Sequence, residues 1–373
     1  MNPTLSNISE DGDIYKFTLS GINVSLANAI RRTILSDIPT VVCYTDTSVD
    51  GQCSIPINTT RLHNEILKQR LSCIPIHSAE LETLPGNYIL ELDIQNETDA
   101  MIIVTTEHFK VKNKANGNYI TEEETRKLFP PCPKTNMFID FARIRPKIGA
   151  SIPGERIKLH AEFSIHTAKE NGMFNVVSKC SYGNTPDVVR AKSVWEEREN
   201  KLRSEQLTAE EIAFQKKNFM ILDAQRHYVE DSFDFVIQTL GVYENQDIVK
   251  KACAVLQNKL AEIVNKIDAT AIPNSNAIPI INSETTMENC YDVILENEDY
   301  TIGKSLEYVL YTKYYLGDKS LAFCGFKKFH PHNDDSTLRI AFDKPSSTKH
   351  VSDYLRISCI ELHDLFKKVR GMF

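Results

Sequence analysis

Two stretches of this chain, far apart in sequence, follow the same plan. Ser25-Leu26-Ala27-Asn28-Ala29-Ile30-Arg31-Arg32 and Thr301-Ile302-Gly303-Lys304-Ser305-Leu306 each open an apolar-periodic helix just after an alternating strand. Each is followed, many residues later, by an amphipathic helix. A strand–helix module of this kind leaves one apolar helix face uncovered, and two such modules packed face to face bury both. The chain therefore reads as two copies of one module in covalent linkage, which suits an assembly platform better than a catalyst.

The periodicities place these modules. Ile14 to Leu19 alternates as a strand. A helix follows from about Ser25 to Ser36, with Leu26, Ala29, Ile30 and Thr33 on one face. Pro39 stops it, and Val41 to Val49 reads as a strand. Asn58-Thr59-Thr60 is expected to enter a second helix whose stripe is Leu62, Ile66, Leu67 and Leu71. Tyr88 to Val111, Phe138 to Ile144 and Arg156 to Ile165 read as strands. Thr121 with Glu124 reads as a capping box.

Val188 to Arg226 is the most charged stretch, with a second capping box at Thr208 and Glu211. Its lone Trp195 fits an interface anchor or local packing equally. Phe233 to Leu240 is strand-like. The helix from about Asp247 to Ile267 carries the stripe Ile248, Ala252, Val255, Leu256, Leu260, Ile263 and Ile267. Thr270 to Ser283 reads as a linker that spans ~45 Å when extended. The module then restarts. Tyr291 to Leu295 is a strand, and Gly303 to Leu316 a helix with Leu306, Val309, Leu310 and Tyr314 on one side. Leu321 to Phe329 and Leu338 to Phe342 are strands. A last helix has the stripe Val351, Tyr354, Leu355, Leu362, Leu365, Phe366 and Val369.

Composition excludes several function classes. Among 373 residues the net charge is -7, which argues against a dominant nucleic-acid surface. No apolar run approaches the ~20 residues that span a bilayer, and the polar, acidic start is not a signal peptide. The nine cysteines are scattered, with no pair two to four apart. They are expected to be reduced, mostly buried, and not metal ligands. No phosphate-binding Gly-rich loop and no Ser elbow is present, so neither catalytic residue nor cofactor is expected. His330 and His332 flank a proline without a further ligand set.

Val24-Ser25-Leu26-Ala27-Asn28-Ala29-Ile30-Arg31-Arg32-Thr33-Ile34-Leu35, followed by Asp37-Ile38-Pro39-Thr40, resembles the first helix of the alpha-like assembly subunits of multisubunit RNA polymerases. Asn58-Thr59-Thr60, Arg70-Leu71 and Ile74-Pro75 resemble that family's next helix. Ala168-Lys169-Glu170 resembles its later loop, and Phe233 to Gly241 the strand entering its dimerisation helix. Asp299-Tyr300-Thr301-Ile302-Gly303, Phe323 to His332 and Leu338-Arg339-Ile340 are similar to the small alpha-like partner subunit. Cellular versions of the two are usually separate chains, and their fusion resembles the arrangement in large DNA viruses of eukaryotes.

The resemblance implies an α+β fold with two alpha-like dimerisation modules in one chain, the first holding an inserted mixed α/β domain. The first module is expected at 1–48 and 179–268, with a charged helical insertion at about 188–226. The inserted domain is expected at 49–178, the linker at 269–285 and the second module at 286–373. The implied function is a non-catalytic polymerase subunit whose halves form an intramolecular pseudo-dimer that docks the two largest subunits beside other small ones. Little direct DNA contact is implied. The implied location is intracellular: host cytoplasm and virion for a viral chain, the nucleus otherwise. The alternative is a nucleic-acid-binding or scaffold module outside the polymerase.

The interface residues expected on this basis are Leu26, Asn28, Ala29, Ile30, Arg31, Arg32, Val255, Leu256, Leu260, Ile263, Ile302, Gly303, Leu306, Leu310, Leu355, Leu362 and Phe366. Arg31 and Arg32 point about 100° apart on a helix, so one is expected along the seam and the other toward a large subunit. Asn28 fits a local cross-link or an exposed polar position. Gly303 fits a close backbone approach or a simple turn.

Overall fold

A computed structural model describes all residues except 46–51, 79, 150, 270–276 and 285–286. The chain opens with strands β1 (Thr4–Asp11) and β2 (Ile14–Ser20), helix α1 (Val24–Ser36) and strand β3 (Thr40–Val42). Then come β4 (Cys53–Asn58), α2 (Asn64–Ser72), β5 (Tyr88–Gln95), β6 (Ile102–Thr105), β7 (Lys110–Asn113) and α3 (Glu122–Leu128). β8 (Asp140–Ile144), β9 (Arg156–Glu162), β10 (Ser164–His166) and β11 (Val177–Pro186) follow. Helices α4 (Val188–Ser204) and α5 (Ala209–Ile221) precede β12 (Tyr228–Thr239) and the long α6 (Asn245–Asp268). The last stretch holds β13 (Ile280–Asn282), β14 (Cys290–Leu295), α7 (Tyr300–Leu310), β15 (Leu321–Lys327), β16 (Ser336–Phe342) and α8 (Thr348–Arg370).

These elements form two compact units. One comprises Met1–Thr33, Lys179–Gln238 and Val249–Phe373, the other Ile34–Ser178 and Thr239–Ile248. The first unit is built on two four-stranded sheets, in the orders β1-β2-β12-β11 and β13-β14-β16-β15. β2 and β12 run antiparallel with Phe17 opposite Phe235, and the two rings stack at 5.0 Å. Tyr15, Phe17, Leu19, Phe233 and Phe235 are buried, as period-two alternation requires. The inner strands of the second sheet, β14 and β16, are nearly all buried: Val293, Leu338 and Ile340 have no exposed surface. Arg339 crosses it to Asp292 with two hydrogen bonds of 2.7 Å. The segment 287–373 thus lies in the same unit as Met1–Thr33.

The other unit holds the sheet β4-β9-β5-β7 and the pairs β6-β8 and β10-β3. Its core gathers Leu67 and Leu71 of α2 with Leu90, Leu92, Phe109, Phe141, Ile157 and Leu159. The boundary expected at 48–49 lies outside the described residues, as do the last four residues of the strand expected to reach Val49 and much of the linker expected at 269–285.

Several elements depart from the sequence reading. β1 is an edge strand with almost every residue exposed, so it carries no apolar alternation. Its pairing to β2 slips between Ser6 and Ser9, where Asn7 takes a positive φ of 50°. Such a bulge protects a polar edge. Asn58-Thr59-Thr60 does not enter a helix. The Asn58 side chain accepts from the backbone N–H of Thr60 at 3.0 Å and turns the chain, so α2 begins at Asn64. Ile66 is consequently exposed while Leu67 and Leu71 are buried. The helix expected from Gly303 begins at Tyr300 and passes at Tyr311 into a π-helical turn ending at Gly317. Both capping boxes, Thr121 with Glu124 and Thr208 with Glu211, start α3 and α5.

Candidate subunit interface

The two helix-one motifs begin in the same way. The Asn23 side chain accepts from the N–H of Ser25 at 2.9 Å, and Asp299 from the N–H of Thr301 at 2.8 Å. Each is a side-chain cap for a first turn whose N–H groups have no partner within the helix. Leu26, Ala29 and Ile30 then turn inward on α1, and Ile302, Leu306 and Leu310 on α7; all six are buried. Leu256, Leu260 and Ile263 of α6 and Leu355, Leu362 and Phe366 of α8 are buried too, while Val255 is half-buried. The expected apolar residues are therefore covered within the chain itself.

Gly303 sits under the ring of Phe326. A Cβ at this position would overlap three atoms of that ring. Phe326 is itself buried and in edge contact with Tyr300 at 5.2 Å, so the ring has little room to retreat. The glycine is thus a close-approach residue. Gly303→Val is expected to destabilise the chain by about 1–3 kcal/mol through overpacking, measured by urea unfolding. Gly303→Val/Phe326→Leu is expected to recover part of that loss.

The two adjacent arginines separate as their helix angles demand. Arg31 donates from Nε and Nη2 to the side-chain oxygen of Asn28, at 3.0 and 2.8 Å. Asn28 therefore cross-links locally. Arg32 reaches the second motif, donating from Nε to the Thr301 hydroxyl at 2.9 Å and from Nη2 to Asp299 at 2.7 Å. Asp299 thus caps α7 and pairs with a residue 267 positions earlier. Burial works against its charge. The hydroxyl and N–H of Thr301 and the Arg32 guanidinium outweigh that and hold the carboxyl below its ordinary range.

A carboxyl depressed in the folded state stabilises it above the unfolded value, near ~3.9, and that stability is lost as the pH falls below it. Asp299→Asn keeps the cap and loses the charge. It is expected to flatten the fall of Tm below about pH 4, with a cost at neutral pH of about 1 kcal/mol or less. Asp299→Ala loses the cap as well and is expected to cost about 1–2 kcal/mol more.

Further polar pairs join the helices and turns of this unit. Lys259 and Lys266 of α6 approach Glu298 and Glu296 at 3.9 and 4.0 Å. Arg356 of α8 pairs with Asp268 at the end of α6, and Gln257 meets His363 at 3.4 Å. None of these was legible as a site, because each joins residues that no periodicity brings together. Only Asp299 carried a local signal, an acid two residues ahead of Thr301 at a helix start.

Other singled-out residues find local partners. Trp195 is buried, stacks obliquely on Phe219 at 5.4 Å and donates its indole N–H to Glu199 at 2.8 Å. It packs locally. Phe329 is exposed with the Lys327 ammonium 4.4 Å above its ring. His330 accepts the backbone N–H of His332 at 3.1 Å. Lys367 and Lys368 lie in the last turn of α8, where cations complement the helix dipole. Burial pushes the thiols of Cys253 and Cys359 up to about 12, which makes them inert core residues. Among the described residues, no group of three or more His, Cys, Asp or Glu is arranged to hold a metal ion, and no helix is long and apolar enough to cross a membrane.

Comparison with known proteins bears on the family of the chain. DNA-directed RNA polymerase subunit Rpo3 of Archaeoglobus fulgidus is 21% identical over 290 residues, covering 72% of this chain and 98% of that protein. The DNA-directed RNA polymerases I and III subunit RPAC1 of Bos taurus is 24% identical over 294 residues, 69% of this chain and 83% of its own length. A conjugation stage-specific protein of Tetrahymena thermophila is 23% identical over 304 residues, covering 69% and 92%. The family model of the RNA polymerase Rpb3/Rpb11 dimerisation domain matches residues 16–260. That match spans about two thirds of the sequence, from the strand before the first motif into the long helix α6, and the chain belongs to this family.

Proposed function

We propose that this chain is a non-catalytic assembly subunit of a multisubunit DNA-directed RNA polymerase and that its two halves pair as an intramolecular alpha-like pseudo-dimer. The paired halves dock the two largest subunits, beside other small ones, inside the compartment where that polymerase works. In this reading 1–48 with 179–268 is the first module, 49–178 the inserted domain and 286–373 the second module. The fused form is that of a polymerase encoded by a large DNA virus, acting in the host cytoplasm.

The observation that supports this reading most is where the family match stops. It ends at residue 260. Residues beyond that point reach back to the matched stretch within one compact unit: Asp299 pairs with Arg32, Glu298 with Lys259, and the Phe373 ring lies against Tyr15 and Phe17. In this reading the second module takes the place of a separate small partner. The linker keeps the partner at an effective concentration in the ~millimolar range. Arg31, spent on Asn28, is the arginine on the side of α1 away from Asp299 and is the one we assign to a large subunit.

The test is affinity purification of the tagged chain from its native context, followed by mass spectrometry. Two very large polymerase subunits in near-stoichiometric yield, with no separate small alpha-like protein, is the expected result. A separate small partner would remove the role given to 286–373. Absence of the large subunits would remove the polymerase reading.

A further inference from the structure

The turn that enters α1 and the turn that enters α7 align residue by residue. Leu19 and Leu295 are both buried. Two positions on, Gly21 and Asn297 both have positive φ, 74° and 58°. Two further on, Asn23 and Asp299 cap their helices in the same way. Within this shared geometry the charges differ. The first turn, Ser20-Gly21-Ile22-Asn23, has no ionisable side chain, whereas the second, Glu296-Asn297-Glu298-Asp299, has three carboxylates. Arg32, nine residues past its cap, corresponds to Tyr308 in the second copy.

All three carboxylates face cations of the other half. Asp299 lies 2.7 Å from Arg32, Glu298 3.9 Å from Lys259 and Glu296 4.0 Å from Lys266. The two lysines and the two glutamates line one crevice with Ile263 and Leu295. The Arg356–Asp268 pair runs in the opposite sense, and it too needs one residue from each half.

We infer that the acidic turn 296–299 and its three cations are a specificity determinant that makes unlike halves pair in preference to like halves. This rests on the pseudo-dimer reading above. Two first halves brought together would set Arg32, Lys259 and Lys266 against a neutral turn. Two second halves would set the acidic turn against Tyr308 and leave its three carboxylates without their cations. Single exposed ion pairs contribute little to stability. Their effect here is on a difference between pairings, where several lost pairs act together. A fused chain needs this discrimination more than separate subunits do, because like pairing between copies would string chains into open assemblies.

The test uses the full chain expressed in two differently tagged copies. Glu296→Lys/Glu298→Lys and Lys259→Glu/Lys266→Glu are made separately and then combined. Native mass measurement and recovery of the second tag are the readouts. The wild type is expected to be monomeric without the second tag. Each two-site variant is expected to dimerise with concentration and to carry at least about tenfold more second tag, and the four-site swap is expected to return to monomer. Two-site variants that stay monomeric would overturn the inference, as would a four-site swap no better than its parents. A wild-type chain that itself dimerises through both tags would instead overturn the pseudo-dimer reading beneath it.

Discussion

Phe366→Ala is expected to lower the stability of the sheet-and-helix unit by about 3–5 kcal/mol, a large part of the ~5–15 kcal/mol that holds an ordinary domain together. The side chain has no exposed surface and lies on the same buried face of α8 as Leu355, Cys359 and Leu362. Truncation removes the transfer energy of the ring and leaves a cavity that close-packed neighbours fill only in part. Phe366→Leu keeps most of the volume and is expected to cost about 1.5 kcal/mol or less. Because the chain has two compact units, melting should be followed by circular dichroism with hydrogen exchange assigning each transition. Only the transition that includes α8 is expected to move. A loss below about 1 kcal/mol would mean that this face of α8 is not packed in solution.

Trp195→Ala is expected to be as costly, about 3–5 kcal/mol, but local in its effect. Trp195 fastens α4 to α5 through Phe219, and Glu199, which takes the indole N–H, also accepts from Arg203. Apart from Ala191, Trp195 and Phe219, this pair of helices has no buried residue. A helical hairpin with so small a core has nothing to replace the indole. Amides of 188–221 are therefore expected to lose exchange protection while the β2 and β12 amides keep theirs. Since Trp195 is the chain's single tryptophan, the tryptophan emission of the unmutated protein, excited selectively over its tyrosines, reports on this hairpin. Equal loss of protection in β2 and β12 would show that the hairpin and the sheet unfold together.

The sequence disclosed those parts of the fold whose signal is local. The period of α6 and α8, the caps at Thr121 and Thr208 and the alternation of β2 each arise within a dozen residues. β1 was hidden because an exposed polar edge strand has no apolar pattern to show. The helix expected at Asn58 failed because a side-chain turn used the same residue types that cap helices. At the interface the apolar stripes were readable but their partners were not. That Arg32 meets Asp299, or Lys259 approaches Glu298, depends on two segments over which no single periodicity runs. The arginine pair could be divided into two directions by helix geometry, yet only the structure tells which points where.

The hydrogen bond from Thr18 to Asp234 joins residues 216 positions apart, across the pairing of β2 with β12. During synthesis β2 waits without this neighbour while the whole segment that forms the other unit emerges. That segment is mostly contiguous, Ile34–Ser178, and needs little from later in the chain. The topology leads us to expect an order of folding: the embedded segment can close before β12 is made, which shortens the loop left between β2 and β12. Substitutions in its core, such as at Leu90 or Phe141, should then delay assembly of the sheet that contains neither residue. The rate at which that sheet forms is then expected to follow from a core that lies wholly outside it.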